Sequence, residues 1–497
     1  MDLSAIRAKV DTPILHLVGE AAAELGQSCH VVGGYVRDLL LDRPSKDIDV
    51  TTVGSGIDLA ERVAARLGRK VQPKVFKAFG TAKIKRGDID LEFVGARRES
   101  YRAGSRKPET VAATFEEDIA RRDFTINAMA ISITPDNFGT LVDLYGGLDD
   151  LQSRTIRTPE DPDRAFTEDP LRMLRAIRFA CRLDFDIHPS TLESIRRNHA
   201  LVATLSAERI QEELNKIMLT ARPSRGWWLM LETGVLGVIL PEVERLYGVD
   251  TVNGRAHKEN FDHTMQVLDK VAADSTDLWL RWGALLHDIA KPVTKKWDDT
   301  HGWTFHNHNF IGAKMVPQIF RRLRLPLNAN MKKVQALVEL HMRPVALVED
   351  IVTDSAIRRL STDAGSDEML SDLLTLCKAD VTSRNPAKVE RCLANLEIVR
   401  CKIDELKARD EVRNYKPPVN GLVIKRVFGL QDGPILKEVS GRLKEAYLAC
   451  IVSADYDENF DYMLSTVAPA LGLTPVDTSR HNPADIKQKK DNSTSAG

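Results

Sequence analysis

Residues 30–54 read HVVGGYVRDLLLDRPSKDIDVTTVG and combine an apolar strand, a glycine pair, a helix and a second strand. The second strand carries Asp47 and Asp49, and residues two apart in a strand project to the same face. Two such carboxylates form an oxygen site suited to Mg²⁺, which commonly bridges to substrate phosphates. Gly33 and Gly34 permit close backbone approach to a phosphate at the helix start, and Arg37 could add a charge-assisted contact. The combination predicts phosphoryl transfer, although a glycine pair or an Asp-x-Asp alone would be unspecific.

Two later segments carry charged side chains in positions that suit nucleotide binding. In RRDFTINAMA, residues 121–130, Asp123 and Asn127 lie four apart, which predicts a shared helix face, and Arg122 beside them could reach a triphosphate. The helix predicted to start near Pro170 carries three arginines at intervals of three: Arg172, Arg175 and Arg178. The fork of arginine can contact phosphate oxygens or the edge of a base, whereas a solvated basic helix face is the plainer interpretation.

The pattern of strands and helices divides the 497 residues into several units. Short β-branched runs with glycine turns occupy residues 30–150, and from Leu171 the apolar residues repeat with a helical period. The predicted units are an N-terminal helical segment (1–28), an α/β head (29–150), a helical neck (151–250), a helical metal domain (251–384), a helical tail (385–475) and a disordered end (476–497).

Composition sets the expected compartment and the kind of surface that could bind nucleic acid. Lys and Arg (70) nearly balance Asp and Glu (71), so any nucleic-acid contact must use local basic patches. The first residues lack the features of a leader peptide, and no apolar run approaches the about 18 residues of a membrane helix. We therefore expect a cytoplasmic protein that does not enter a membrane. Six scattered cysteines without a CxxC pair argue against zinc or disulfide frameworks.

The order of these motifs resembles that of the class II tRNA nucleotidyltransferases and bacterial poly(A) polymerases. The resemblance covers about the first 200 residues and rests on GGYVRD with DID, on DLEFV, on RRDFTINAMA and on EDPLRMLRAIRFACRLDF. It implies an α/β nucleotidyltransferase head of the polymerase beta type, followed by an all-helical neck, HD domain and tail. It also implies that Asp169 and Arg172 act as a protein template for the incoming base, with Arg175 and Arg178 supporting them or holding phosphate.

The resemblance implies catalysis with Mg²⁺ held by Asp47 and Asp49, and the sequence leaves the third carboxylate open. Glu92 is the candidate, but Asp88 and Asp90 lie on the same run, and Glu92 could instead orient an arginine or the RNA primer.

The product of the reaction is open between members of this family. Bacterial poly(A) polymerases usually carry a Gly-Arg-Arg-Phe signature after the Asp-x-Asp strand and often end in a strongly basic tail. Residues 74–84, KVFKAFGTAKI, and the C-terminal end show neither feature clearly. We therefore favour addition of CCA to the 3′ end of tRNA from CTP and ATP. Poly(A) addition is the alternative, and addition of only part of the triplet stays open.

A second set of metal-binding residue types follows in the order H…HD…H…H…D, which resembles the HD superfamily of metal phosphohydrolases. The residues are His263, His287, Asp288, His308, His341 and Asp380. On helices that face a bundle interior they could hold one or two divalent metals, including transition metals, and activate water against a phosphoester. If the module is active, terminal 2′,3′-cyclic phosphates or 2′-nucleotides of RNA are plausible substrates, and if it is inactive it could persist as an RNA-docking scaffold.

Two other interpretations of the whole chain are compatible with the motifs. The protein could act mainly as an HD-type phosphohydrolase, with the head serving as an RNA- or nucleotide-binding module. A pure RNA-binding protein is the least favoured, because it would not need both metal constellations intact.

Overall fold

The computed structural model describes residues 3–68, 70–100, 109–252, 254–257, 259–349, 353–382, 385–414, 416–449 and 451–480. Cys450 and most of the predicted disordered end, residues 481–497, lie outside these ranges. The chain forms two compact units, the first of residues 1–349 and 360–393, the second of residues 350–359 and 394–497. Among the described residues, no helix combines the length and the apolar character needed to cross a membrane.

The strands are concentrated in the first third of the chain. They are β1 Cys29–Val32, β2 Asp47–Thr52, β3 Lys74–Phe76, β4 Thr81–Arg86, β5 Ile89–Gly95, β6 Arg97–Ser100, β7 Glu109–Ala112, β8 Ala130–Ser132, β9 Leu141–Val142, β10 Thr155–Ile156, β11 Asp186–Ile187, β12 Thr251–Val252, β13 Arg255–Ala256, β14 Lys296–Asp298 and β15 Gly302–Thr304. Seven of them form one mixed sheet in the order β3-β4-β5-β2-β1-β8-β9, and the others pair two by two. All strands after residue 150 are only two or three residues long.

The helices of the first half of the chain are α1 Leu3–Val10, α2 Pro13–Glu24, α3 Gly34–Leu40, α4 Gly56–Leu67, α5 Phe115–Ala120, α6 Gly147–Gln152, α7 Pro162–Glu168, α8 Leu171–Leu183, α9 Pro189–Asn198, α10 Ala207–Met218, α11 Ser224–Glu232, α12 Val235–Ile239 and α13 Pro241–Glu244. Local sequence explains several helix starts. The hydroxyl of Ser55 accepts from the Asp58 amide at the start of α4. Thr114 and Glu117 form a capping box at the start of α5.

The helices of the second half are α14 Asn260–Asp274, α15 Leu278–Leu286, α16 Lys291–Thr294, α17 His308–Arg322, α18 Ala329–Leu340, α19 Met342–Glu349, α20 Asp354–Ala364, α21 Asp367–Asp380, α22 Pro386–Asn414, α23 Gly421–Phe428, α24 Pro434–Leu448, α25 Tyr456–Tyr462 and α26 Ala468–Ala470. Within the first unit, one buried apolar cluster runs from Ile6 through the sheet and the neck helices to Ala379. A separate apolar cluster holds α23, α24 and α25 together in the second unit.

The predicted fold class, an α/β head followed by a helical chain, is confirmed, while the predicted domain boundaries stay predictions. One local prediction was wrong. Asp123 and Asn127 do not share an α-helix, because α5 ends at Ala120 and only residues Thr125–Asn127 form a short 3-10 turn. The two side chains still meet, since the turn folds Asn127 back towards Asp123.

Candidate active site and metal centre

The Asp-x-Asp strand lies in the middle of the head sheet, and its neighbours explain how the carboxylates come together. Strand β2 pairs parallel with β5, which sets Asp49 opposite Glu92, and antiparallel with β1, which sets Asp49 opposite Val32. Residues opposite one another in adjacent strands project to the same face, so Asp49 and Glu92 share a face. Lys83 lies opposite Glu92 on the next strand, and its Nζ is 2.7 Å from Glu92 Oε2.

Burial makes this cluster favourable for a cation. It raises the pKa of Asp49, and the carboxylates of Glu92 and Asp47 raise it further, while Arg122 and Lys83 oppose the shift. A half-buried carboxylate beside two others is costly to ionise unless a cation lies close by. Residues Asp47, Asp49 and Glu92 therefore provide the oxygen donors that Mg²⁺ prefers.

The glycine turn brings Arg122 to the same place. Gly33 adopts φ +70°, and a Cβ atom there would lie 3.0 Å from Arg122 Nη1 and 3.7 Å from Asp49 Oδ2. The Arg122 guanidinium is held by Asp118 Oδ2 at 3.1 Å and by Thr51 Oγ1 at 3.3 Å. A glycine is required here because an L side chain would be strained in this conformation and would press on the guanidinium.

A buried chain of hydrogen bonds connects helix α3 with the neck helix α8. Arg37 is buried and begins this series of hydrogen bonds. It donates from Nε to Asp38 (2.8 Å) and from Nη1 to Asn127 Oδ1 (2.6 Å). Asn127 Nδ2 donates to Asp123 Oδ1 at 3.0 Å, and Arg175 Nε donates to Asp123 Oδ2 at 2.8 Å. Burial raises the pKa of Asp123, but Arg175 and Asn127 outweigh it, so the pKa is lowered. The Arg37 guanidinium is bonded to Asp38 and Asn127 in this structure. The contact of Arg37 with a substrate phosphate therefore stays a prediction.

Asp169 and Arg172, the template pair implied by the resemblance, lie at the start of α8. Each of them is hydrogen-bonded to another segment of the protein. Asp169 accepts from Arg209 Nη2 with both carboxylate oxygens, each at 3.1 Å. Arg172 donates to the Arg121 carbonyl at 2.5 Å, which fixes its direction. It lines a cavity of about 260 Å³ together with Arg122. Arg172, predicted to contact the base, and Arg122, predicted to contact the triphosphate, therefore line one space, whereas Asp169 is not among its lining residues.

Sequence reasoning missed the carboxylate that pairs with Arg178. This arginine is buried, and its Nε donates to Glu213 of α10 at 2.5 Å, while its guanidinium stacks on Phe179 with 4.0 Å between Cζ and the ring centroid. A supporting role for Arg178 fits these contacts better than phosphate binding. The signal was present in the sequence, since a buried arginine requires a buried acceptor and Glu213 lies on the apolar side of an amphipathic helix.

In the HD-type segment, the six predicted residues converge from five places in the chain. His263 Nε2 lies 2.9 Å from Asp380 Oδ1 and 3.6 Å from Asp288 Oδ2. His287 Nε2 lies 3.2 Å from Asp288 Oδ2. On the other side of Asp288, Oδ1 lies 3.4 Å from His308 Nε2 and 3.9 Å from His341 Nε2. Asp288 thus belongs to two groups of possible ligands, one with His263 and His287 and one with His308 and His341. Within each group the ligand atoms lie within 4.8 Å of one another.

The far nitrogens of these histidines are fixed by the protein. His287, His308 and His341 each donate from Nδ1 to the carbonyl oxygen three residues earlier, at 2.7 to 2.8 Å. His263 Nδ1 lies 2.9 Å from Thr382 Oγ1. A proton on Nδ1 leaves the Nε2 lone pair free towards the cluster, which is the arrangement that metal-binding histidines adopt.

Electrostatics favour a cation in place of a proton. Burial lowers the pKa of His287, but Asp288 and Asp380 outweigh it and raise the pKa to about 10. Burial lowers the pKa of His341 to about 4. Among the described residues, His287 Nε2 is buried and has no hydrogen-bond partner. The 3.2 Å between His287 Nε2 and Asp288 Oδ2 suits two ligands of one ion better than a hydrogen bond. The set of donors therefore fits a divalent metal.

Two lysines lie next to the cluster and donate hydrogen bonds to it or to its backbone. Lys270 Nζ donates to the carbonyl oxygens of Ala379 (3.2 Å) and Val381 (3.0 Å), the residues on either side of Asp380. Lys291 Nζ donates to Asp288 Oδ2 at 2.5 Å. The first lysine fixes the backbone that presents Asp380, and the second neutralises part of the charge of Asp288.

Comparison with known proteins supports both parts of this description. Residues 29–157 match the poly A polymerase head domain, residues 184–246 the family described as the probable RNA and SrmB-binding site of polymerase A, and residues 260–385 the HD domain. The A-adding tRNA nucleotidyltransferase of Deinococcus radiodurans is 33% identical over 84% of this chain and 90% of that protein. The multifunctional CCA protein of Chromobacterium violaceum is 35% identical over 71% of this chain and 84% of that protein.

A solved structure agrees with the same assignment. A tRNA nucleotidyltransferase complexed with a primer tRNA and an incoming ATP analogue is 26% identical, with a TM-score of 0.55 over 77% of this chain and 98% of that one. The head and the HD domain together define a nucleotidyltransferase with an attached HD module, and both modules imply the use of divalent metal. The chain belongs to the tRNA nucleotidyltransferase family, whose members are enzymes of tRNA processing.

Proposed function

We propose that this enzyme adds CCA, without a nucleic-acid template, to the 3′ end of tRNA from CTP and ATP. The observation that carries the proposal is the convergence of Asp47, Asp49 and Glu92 beside the Gly33 turn and Arg122. In the reaction, the RNA 3′ oxygen bonds to the α-phosphorus of the nucleotide and the bond to the β-phosphate breaks. Pyrophosphate leaves, and the hydroxyl proton passes to solvent.

Each group of side chains has a separate task in this scheme. Asp47 and Asp49, with Glu92 as the third carboxylate, would hold Mg²⁺, which supplies charge neutralisation and activates the hydroxyl. Arg122 contacts the triphosphate next to the Gly33-Gly34 backbone. Asp169 and Arg172 read the base. The chain of Arg37, Asn127, Asp123 and Arg175 positions these groups, and Arg178, held by Glu213, supports them from the same helix.

Extension of a tRNA transcript that lacks CCA tests the product. The purified enzyme is incubated with Mg²⁺ and CTP, ATP or both, and the new ends are sequenced. Two C residues with CTP alone, and a terminal A only when both are present on this transcript, would establish CCA addition. A long A ladder would identify a poly(A) polymerase instead.

Addition of A alone is the second candidate, because the Deinococcus radiodurans relative carries the name of an A-adding enzyme. A transcript ending in CC separates the two candidates. An A-adding enzyme extends this transcript with ATP and leaves the shorter transcript unextended in CTP. A CCA-adding enzyme extends both.

Substitution at the carboxylates tests the site itself. Asp49→Ala should abolish addition while tRNA binding stays largely intact, because the carboxylate acts on the reacting atoms. Asp88→Asn is the matched control, since Asp88 lies at the turn before β5, is exposed and pairs with Lys46 on the surface. Near-normal turnover by Asp49→Ala would overturn the assignment.

We also infer that the HD cluster binds divalent metal and hydrolyses a phosphoester, with 2′,3′-cyclic phosphates and 2′-nucleotides of RNA as the substrate class. The support is the set of four Nε2 atoms directed at Asp288 and Asp380. His287→Asn and Asp288→Asn should lose bound metal and hydrolysis but keep addition, with exposed His301→Asn as control. Loss of every activity in these variants, with none lost in Asp49→Ala, would instead favour a phosphohydrolase whose head only binds RNA.

A further inference from the structure

A basic pocket lies at the opposite end of helix α8 from the predicted template residues. Its volume is about 500 Å³, and its rim carries the exposed side chains of Arg43, Arg182 and Arg222. Arg43 follows α3 in the head, Arg182 ends α8, and Arg222 lies between α10 and α11. Three separate segments of one compact unit thus supply guanidinium groups to the same opening.

These three arginines differ from the other basic residues around the pocket. Lys216 pairs with Glu213 at 3.0 Å, and Arg225 pairs with Asp184 and Asp186, each at 2.6 Å. Within the described ranges, Arg43, Arg182 and Arg222 make no ion pair or side-chain hydrogen bond.

The carboxylates nearest to the pocket are already neutralised. Glu213 accepts from Arg178 as well as Lys216, and Asp184 accepts from Arg154 as well as Arg225. The charge of the rim is therefore not balanced from within the protein. Arginines that gather around an opening without carboxylate partners create a local positive potential that attracts phosphate.

Part of the lining of the pocket is apolar. Cys181 and Leu183 of α8 line it together with Leu219, whose side chain is 51% exposed. An exposed leucine beside guanidinium groups offers an apolar contact next to phosphate ligands. Arginine guanidinium planes can also stack on an unpaired base, so one opening of this kind can contact base and backbone together.

The distance from the predicted chemistry suits an RNA strand. Arg182 lies ten residues after Arg172 on the same helix, which corresponds to about 15 Å. That length spans about four nucleotides of a helical strand at roughly 3.4 Å each. An RNA whose 3′ end lies beside the predicted template residues at the start of α8 could therefore reach the pocket with a phosphate a few nucleotides away.

We infer that this pocket is a phosphate-binding subsite formed by Arg43, Arg182 and Arg222, and that it holds the backbone of the RNA substrate. The choice of RNA rests on the proposed function. RNA and a free nucleotide both carry a phosphate and a base, so a free nucleotide could occupy the same pocket.

Binding measured without catalysis tests the inference. The Arg43→Gln, Arg182→Gln and Arg222→Gln variants, singly and together, are titrated with a fluorescent tRNA transcript lacking CCA at several salt concentrations. The triple variant should bind at least tenfold more weakly, and the slope of log K against log salt should fall by about one for each lost contact. Arg7→Gln, which removes an exposed guanidinium from α1, should leave both quantities unchanged.

A second arm uses ATP in place of RNA. Weaker ATP binding in the triple variant with unchanged tRNA binding would assign the subsite to a free nucleotide and overturn the assignment to RNA. Unchanged binding of both ligands would overturn the subsite itself.

Two further measurements keep the outcome interpretable. The thermal unfolding midpoint should stay at the wild-type value, since the three side chains have no partners to lose. Addition at saturating RNA should also keep its rate, so weak binding with normal turnover separates this subsite from the active site. If the enzyme adds no nucleotide to tRNA at all, the proposed function fails, whereas the binding test of the subsite is unaffected.

Discussion

Substitution of Gly33 by alanine should destabilise the protein, and the same substitution at the adjacent Gly34 serves as the control. Gly33 has φ +70° and ψ −134°, and a Cβ atom there would lie 3.0 Å from Arg122 Nη1. Gly34 lies inside α3, where a Cβ atom would meet nothing closer than Arg37 Nη2 at 3.6 Å, an ordinary contact. Gly33→Ala should therefore cost about 1–3 kcal/mol in backbone strain. Displacement of Arg122 from Asp118 and Thr51 should cost about 1 kcal/mol more.

Gly34→Ala should instead stabilise the protein by about 0.5–1 kcal/mol, because alanine loses less entropy in a helix. Urea unfolding of the two variants measures the difference. The Gly33 variant should also lose more than tenfold in kcat/KM for the nucleotide, because Arg122 can no longer lie over the turn. Equal unfolding midpoints for the two variants would refute the geometric argument, whatever their activities.

Three further predictions follow from buried or paired groups. Burial lowers the pKa of His30, stacked on Phe115, to about 4, so its stabilising effect is complete above pH 6.5 and is lost as the pH falls towards 4. Wild type should lose about 2 kcal/mol between pH 7 and pH 5 that His30→Phe retains, and equal losses in urea titrations would contradict this. Buried Arg281 donates to the carbonyl oxygens of four residues, so Arg281→Met should cost about 3 kcal/mol or more in the same assay, and a shift under about 0.5 kcal/mol would count against it. Arg209→Met should reduce the ratio of kcat/KM between correct and incorrect nucleotides about tenfold, because both oxygens of the Asp169 carboxylate lose the Nη2 donor that orients them, and an unchanged ratio would exclude that role.

The head was predictable because its motifs are local. The strand, the glycine turn and the start of α3 follow from 25 consecutive residues, and alternation alone placed Asp47 and Asp49 on one face. The sequences of β2 and β5 did not predict that Asp49 lies opposite Glu92. It depends on the parallel alignment of β2 with β5, which the helix between them and the turn at Gly87 set together.

Long-range partners account for most of what the sequence did not reveal. Arg209 and Glu213 lie on α10, some 35 to 40 residues from the side chains that they hold, and no spacing rule connects them. The wrong helix at Asp123 has a local cause. A four-residue spacing is shared by helices and by tight turns, so it predicted the contact with Asn127 but not the conformation.

The HD cluster shows how local geometry can prepare a non-local site. Three of its histidines take the same bond to the carbonyl three residues earlier, and that bond needs only local backbone: the end of a helix for His287 and His341, and the turn before α17 for His308. The fourth, His263, lies inside α14, where the carbonyls are used by the helix, and it relies on Thr382 from a distant segment. A substitution at Thr382 should therefore disturb one ligand without affecting the other three.

Charge balance explains why the carboxylates of the head favour a cation. In the head, the three carboxylates Asp47, Asp49 and Glu92 face two cationic side chains, Lys83 and Arg122, which leaves one negative charge uncompensated. Lys83 is held against Glu92 from an adjacent strand and cannot move to Asp49 without breaking that pair. The uncompensated charge therefore lies on partly buried Asp49, and a hard divalent cation bound there, as proposed above, would neutralise it and would still attract the phosphates of an incoming nucleotide.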